Sequence, residues 1–175
     1  MPTRQELQPN EYAEYYAKYI EQVNPSERLV EAFDRSIAEL VSYLDAVPLE
    51  QQHFSYGEDK WTITQSLQHI IDCERIFAYR ALRFARADST ALPGFEQDEF
   101  AAISGPRSRT LVSLIEELKA VRTSTRHLFS SFEKATMLRE GSMSGHTHSV
   151  RAIGFVICGH ALHHAQLYRE RYVFA

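Results

Sequence analysis

The chain has 175 residues, 44% apolar and 24% charged, with a net charge of −4, which suits one soluble domain and excludes disordered and fibrous classes. The acidic balance without a basic block excludes duplex binding through phosphate contacts, and no apolar run reaches the roughly 20 residues of a membrane span. Met1 to Asn10 lacks the apolar core of a signal peptide, and two cysteines, Cys73 and Cys158, imply no disulfide framework, so a cytoplasmic protein without nucleic-acid or membrane partners is expected.

In chain order, Tyr12, Tyr15, Tyr16 and Tyr19 recur at helical spacing and predict a short N-terminal helix with one aromatic face, to be covered by the rest of the chain or a partner subunit. Asn24-Pro25-Ser26-Glu27 reads as an N-cap, a first-turn proline and a capping box. The helix it opens carries the stripe Leu29, Phe33, Ile37, Leu40 and Leu44, and Pro48 ends it. Thr62 and Gln65 form a second capping box, opening a helix to about Ala87. Its apolar arc contains Ile63, Leu67, Ile70, Ile71, Phe77, Ala81 and Phe84, with His69 at one edge beside Cys73.

The segment Asp88 to Arg109, with Pro93, Gly94, Gly105 and Pro106, is too long for a tight helix hairpin. It is long enough to cross a bundle roughly 37 Å tall, so the second and third helices are expected to run parallel. The third helix is predicted over Thr110 to Ala135, with His127 off its apolar seam and solvated. Thr136 to His148 reads as a Gly- and Ser-rich loop, and Ser149 as the cap of the last helix.

On that last helix Val150, Ile153, Val156, Ile157, Leu167 and Tyr168 mark the apolar face. His160 and His164 fall at its middle and His163 at its edge, while Arg151, Gln166 and Arg169 lie outside. Residues four apart stack on one side of a helix, so both imidazoles can aim at one point, at the spacing of the two ligands in zinc-protease helices. The glutamate those helices use as a base is absent, because position 161 is Ala. Two unpaired rings in an apolar face are costly. Core histidines satisfied by carbonyls or tyrosines are one resolution. A metal site completed by His69 is the stronger one, with three neutral imidazoles and open positions for water or substrate.

Cys73, one turn after His69, is either a fourth ligand or a small apolar residue. Asp72, Glu74 and Gln166 are candidates to orient a ligand imidazole. His146 and His148 lie in the Gly-rich loop, solvated or over the mouth of the site, and His53 in a connector carries no signal.

Lys60-Trp61-Thr62-Ile63, followed by His69 and Asp72, resembles the K-W-S-I-x-x-x-x-x-H-x-x-D segment of the DinB/YfiT-like superfamily. Arg80 to Arg86, Leu92-Pro93-Gly94-Phe95 and Gly159-His160-Ala161-Leu162-His163-His164 continue the match, which spans about Ser26 to Tyr172. The resemblance implies an all-α four-helix bundle with a long crossover between its second and third helices, often a homodimer. It also implies a divalent metal, zinc or nickel, held by His69, His160 and His164. Some members are metal-dependent transferases or isomerases that use a small-molecule thiol against an electrophile.

The thiol would bind the metal as a thiolate, with Arg80 or Arg83 holding its carboxylates, although each arginine also reads as a solvated helix charge. Hydrolysis by an activated water is a competing enzyme reading, weakened by the lack of a general base beside the ligands. A non-catalytic metal-binding or stress-related bundle, with the Tyr-rich helix as its interface, is the other alternative.

Overall fold

The structure is a computed structural model and describes residues 1–103 and 109–173. Its helices are α1 (Ala17–Ile20), α2 (Leu29–Leu44), α3 (Ile63–Ala85), α4 (Gln97–Ile103), α5 (Leu111–Ser130), α6 (Lys134–Met137) and α7 (Val150–Arg171). Two strands, β1 (Glu140–Met143) and β2 (His146–Ser149), pair antiparallel between α6 and α7.

Local chemistry starts three of the long helices. The Thr62 hydroxyl accepts from the Gln65 N–H at 3.2 Å, and Gln65 Oε1 accepts from the Thr62 N–H at 2.9 Å, as the capping box requires. Thr110 and Ser149 cap α5 and α7 by accepting from Ser113 and Ala152. α2 departs from the reading. Asn24 Oδ1 accepts from the Ser26 N–H at 3.1 Å and so closes a turn rather than a helix. Pro25 and Ser26 form that turn, and Arg28 is held extended because Leu29 N–H donates to the Pro2 carbonyl and Thr3 bridges Arg28. The helix therefore starts only at Leu29.

Four helices, α2, α3, α5 and α7, form a closed ring in which α2 and α3 are diagonal, as are α5 and α7. Side-chain pairs give the directions. Gln68 meets Arg109, Arg75 meets Glu117 and Glu74 meets Arg122, so α3 and α5 run parallel, as the long connector implied. Leu29 lies against Gly154 and Glu39 against Arg169, so α2 and α7 are also parallel. Asp34 pairs with Arg126 and Ser36 with Arg122, so α2 and α5 are antiparallel. The crossover is not wholly extended, since α4 forms within it and packs on α3. Gly105 and Pro106 lie outside the described residues.

α5 ends at Ser130, not Ala135. The Ser131 hydroxyl donates to the Leu128 carbonyl, and the chain turns so that Phe132 packs on Phe129 with ring centres 5.6 Å apart. The segment read as a loop is the β1–β2 hairpin. Ser144 and Gly145 both have positive φ, 51° and 81°, the combination a two-residue turn needs to match strand twist. Leu92 of the crossover donates to the Ser142 carbonyl and accepts from Ser144 N–H, fastening the hairpin to the crossover. The N-terminal segment crosses α7. Buried Glu11 accepts from the Ser149 hydroxyl at 2.6 Å and from Arg151 Nε at 2.7 Å, next to the α7 N-terminus, where a carboxylate is favoured.

Candidate metal centre

α3 and α7 run antiparallel, which brings the first third of α3 against the middle and end of α7. His69 therefore faces His160 and His164 at the level where two apolar clusters meet, one containing Cys73 and Leu162, the other Ile70 and Ala161. All three rings are buried. His160 Nε2 lies 3.2 Å from His69 Nε2 and 3.2 Å from His164 Nε2. One ring nitrogen from each of the three lies within 4.8 Å of the others. Two nitrogens bound at 2.0–2.1 Å to one tetrahedral ion would be roughly 3.3 Å apart. The observed spacing fits three imidazoles on one ion.

Their charge state fits as well. Burial holds His69 down to about 4, with Asp98 opposing weakly. Burial, and then the neighbouring histidines, push His160 and His164 well below their ordinary value. All three are neutral at pH 7 and present lone pairs. Their far sides are held by the surrounding chain: Ser66 Oγ lies 3.3 Å from His164 Nδ1, and Trp61 lies against His69 with ring centres 4.7 Å apart. Tyr19 stands edge-on to both His160 and His163, at 5.3 and 5.2 Å.

Tyr19 reaches that position because α7 has a glycine beneath it. A Cβ on Gly159 would lie 1.8 Å from the Tyr19 carbonyl oxygen, so α1 can cross α7 at this height only over Gly159. Above His160 lies a cavity of about 280 Å³, walled by Tyr15, Tyr16, Tyr19, Phe77 and Phe95. Cys73, Arg80, Glu96 and Asp98 also line it. The expected Tyr-rich helix is broken up, with Tyr12 extended, Tyr15 and Tyr16 in a 3₁₀ turn (Glu14–Tyr16) and only Tyr19 in α1. This segment covers the bundle's own site, Tyr16 packing edge-on against Phe77 and His148.

The profile of the DinB superfamily matches residues 32–167. The chain belongs to the DinB superfamily. Among solved structures it is similar to YfiT from Bacillus subtilis, described as a probable metal-dependent hydrolase with an unusual four-helix bundle topology. The TM-score is 0.68 at 14% identity, covering 94% of this chain and 93% of that one. No curated protein matches the chain. The four-helix architecture implied by the motif resemblance is therefore the one the chain adopts.

The remaining sequence candidates divide sharply. Cys73 Sγ lies 3.6 Å from His69 Nδ1 and 3.7 Å from its Nε2 but does not join the three converging nitrogens, and burial pushes its thiol up to about 12. Arg80 is buried in the cavity wall, which corrects its reading as a solvated charge. Arg83 is turned away, paired with Asp88 and Tyr79. Asp72 accepts from Gln68, Glu74 pairs with Arg122, and Gln166 donates to Glu170. These three are engaged on other faces and do not orient the histidines. His163 is half-buried and stands edge-on to Tyr19.

His146 is exposed, but His148 is buried. His148 Nε2 accepts from the Ala13 N–H at 3.2 Å, and Nδ1 donates to the His146 carbonyl at 3.0 Å. It anchors the N-terminal segment beside the cavity. The parts of the site not foreseen are Ser66, Tyr16, Tyr19, Phe77, Phe95, Glu96 and Asp98. Ser66 was within reach, one helical turn before His69 on the same side.

Proposed function

We propose that the protein is a divalent-metal-dependent enzyme in which His69, His160 and His164 hold the ion and the cavity above His160 receives the substrates. The observation that carries this reading is the convergence of three buried, neutral Nε2 atoms beside an aromatic-lined cavity. Zinc or nickel suits three imidazole nitrogens. When bound, such an ion acidifies a thiol or water next to it and makes it nucleophilic at neutral pH.

Thiol transfer to an electrophile is the reaction that fits best, because a thiol acidified in this way needs no separate base. No carboxylate touches the three ring nitrogens among the described residues, and the tyrosine wall shields the site from bulk water. In this reading His160 and His164 hold the reacting end, Ser66 fixes the orientation of His164, and Tyr19 closes the side toward solvent. Hydrolysis is the second reading. It is favoured by Glu96 and Asp98, two carboxylates in the cavity wall that could take a proton from water. The structural likeness to YfiT supports the fold and leaves the choice of nucleophile open. The homodimer belongs to the same proposal and is tested by light scattering.

Metal analysis of the purified protein should find close to one divalent ion per chain. His160→Ala and His164→Ala should each lose most of it, and folded protein without metal would sink the reading. Turnover of chlorodinitrobenzene or epoxides with a panel of small thiols should require the ion. Ester hydrolysis without thiol dependence would instead favour the second reading. A metal-loaded protein inert in both assays would leave a non-catalytic metal-binding bundle.

A further inference from the structure

Arg80 carries a charge that the metal site does not explain. The residue is 3% exposed, and its guanidinium carbon lies 5.8 and 5.7 Å from the ring centres of Phe77 and Phe95. Nη2 donates to the Pro93 carbonyl at 2.6 Å, and Nη1 faces Met143 Sδ at 3.8 Å. Arg122, equally buried, has Glu74 as its carboxylate, and even the partly exposed Arg151 has Glu11. Among the described residues Arg80 has none. The titratable groups beside it are Cys73 and Tyr16, neither of them a carboxylate, and Tyr16, which hydrogen-bonds to it, is kept protonated at neutral pH by burial. A guanidinium removed from water without a counter-ion is costly, and aromatic faces with the Pro93 carbonyl and the neutral Tyr16 hydroxyl offset only part of that.

The missing counter-charge has room to arrive from outside. Arg80 and His160 line the same cavity of about 280 Å³, with the rings of Tyr16, Tyr19, Phe77 and Phe95 between them. We propose that this cavity binds a small organic monoanion, its carboxylate paired with Arg80, its apolar body between the aromatic rings and its far end at His160. A planar guanidinium suits a carboxylate through paired N–H donors. Glu96 and Asp98 are exposed at the rim and repel a more highly charged ligand, so a phosphate ester is disfavoured. This names the substrate class of the proposed enzyme and rests on that reading only for what happens at the far end. The binding itself needs no metal.

The test is titration calorimetry with 3-phenylpropionate, 3-phenylpropionamide and phenyl phosphate, on protein as purified and after treatment with chelator. In both preparations the carboxylate should bind more tightly than the neutral amide by about tenfold or more, the scale of one charged hydrogen-bonded contact. Phenyl phosphate should bind more weakly than the carboxylate. Arg80→Met should abolish the preference for the acid, and Arg80→Lys should keep part of it.

Equal binding of acid and amide by the wild type would overturn the proposal, as would a folded Arg80→Met that keeps the preference. A preference seen only in the metal-loaded protein would also overturn it, because the ion would then be holding the carboxylate. Should Arg80→Met fail to fold, magnetic resonance of the wild type decides. The acid must shift the Arg80 Nε–H signal together with the Tyr16 and Tyr19 rings, and shifts confined elsewhere would refute the site. Acid preference in a protein that never holds metal would sink the enzyme reading alone. Metal binding without acid preference would sink this proposal alone.

Discussion

Buried histidines in this protein are kept neutral by their surroundings, and His148 shows the consequence most simply. Its Nε2 must accept from Ala13, which a protonated ring cannot do. Burial holds its pKa at about 4, against 6.5 in an exposed chain. Between those values the unfolded chain binds the proton and the folded chain does not, so stability is full above pH 6.5 and falls as the pH drops toward 4. The loss from His148 should reach on the order of 2 kcal/mol by pH 5. His148→Gln keeps an acceptor without the titration, and urea unfolding of chelator-treated protein should show a flatter pH profile for it than for the wild type. Identical profiles would remove His148 from the account. At this scale the histidine triad was legible, because two histidines four apart in the middle of an apolar face break the hydrophobic pattern. His148 was not. Its burial depends on Tyr16 and Ala13, about 130 residues earlier in the chain.

The elements that were legible are those whose ends are set by neighbouring residues. Thr62, Thr110 and Ser149 each cap a helix from within three residues, and the periodic stripes of α2 and α3 supply the rest. The start of α2 was misplaced because pairing with Pro2 and Thr3 outweighs the local signal at Asn24. The hairpin was missed because Ser144-Gly145 is a weaker turn signature than Asn-Gly, and its strands carry little alternation. Gly159 is where one element depends on another most directly. Gly159→Ala would drive a methyl into the Tyr19 carbonyl, so α1 has to lift from α7. A loss of about 1–3 kcal/mol is expected, with proteolytic cleavage between residues 11 and 22 becoming faster. Wild-type protease resistance in the folded variant would show that the crossing is looser than it looks.

For the whole molecule, the ring of helices is tied at its centre by Glu74 and Arg122. Two hydrogen bonds of 2.8 Å join them, and Arg122 reaches on to the Phe33 carbonyl and Ser36, so α2, α3 and α5 share one buried charge network. Glu74→Ala strands the arginine and should cost about 3–5 kcal/mol in urea unfolding, against about 0–1 kcal/mol for Asp34→Ala in the exposed pair with Arg126. Glu74→Leu combined with Arg122→Met should recover most of the loss. A single-variant cost as small as the surface pair's would show that water reaches the network. The crossover was legible from connector length alone. Arg122 was not, and Arg80 could not be told from Arg83, because a charged residue on a helix reads as solvated until the elements covering it are placed. The position of the tyrosine wall has one more consequence. His69, His160 and His164 all fall inside the stretch that matches the DinB superfamily, whereas Tyr15, Tyr16 and Tyr19 precede it. The histidine triad and the tyrosine side of the cavity are thus written in separate parts of the chain, while Phe77, Arg80 and Phe95 wall the cavity from within the matched stretch. The leading twenty-odd residues could be exchanged for others to reshape the tyrosine side of the cavity, with His69, His160 and His164 left in place.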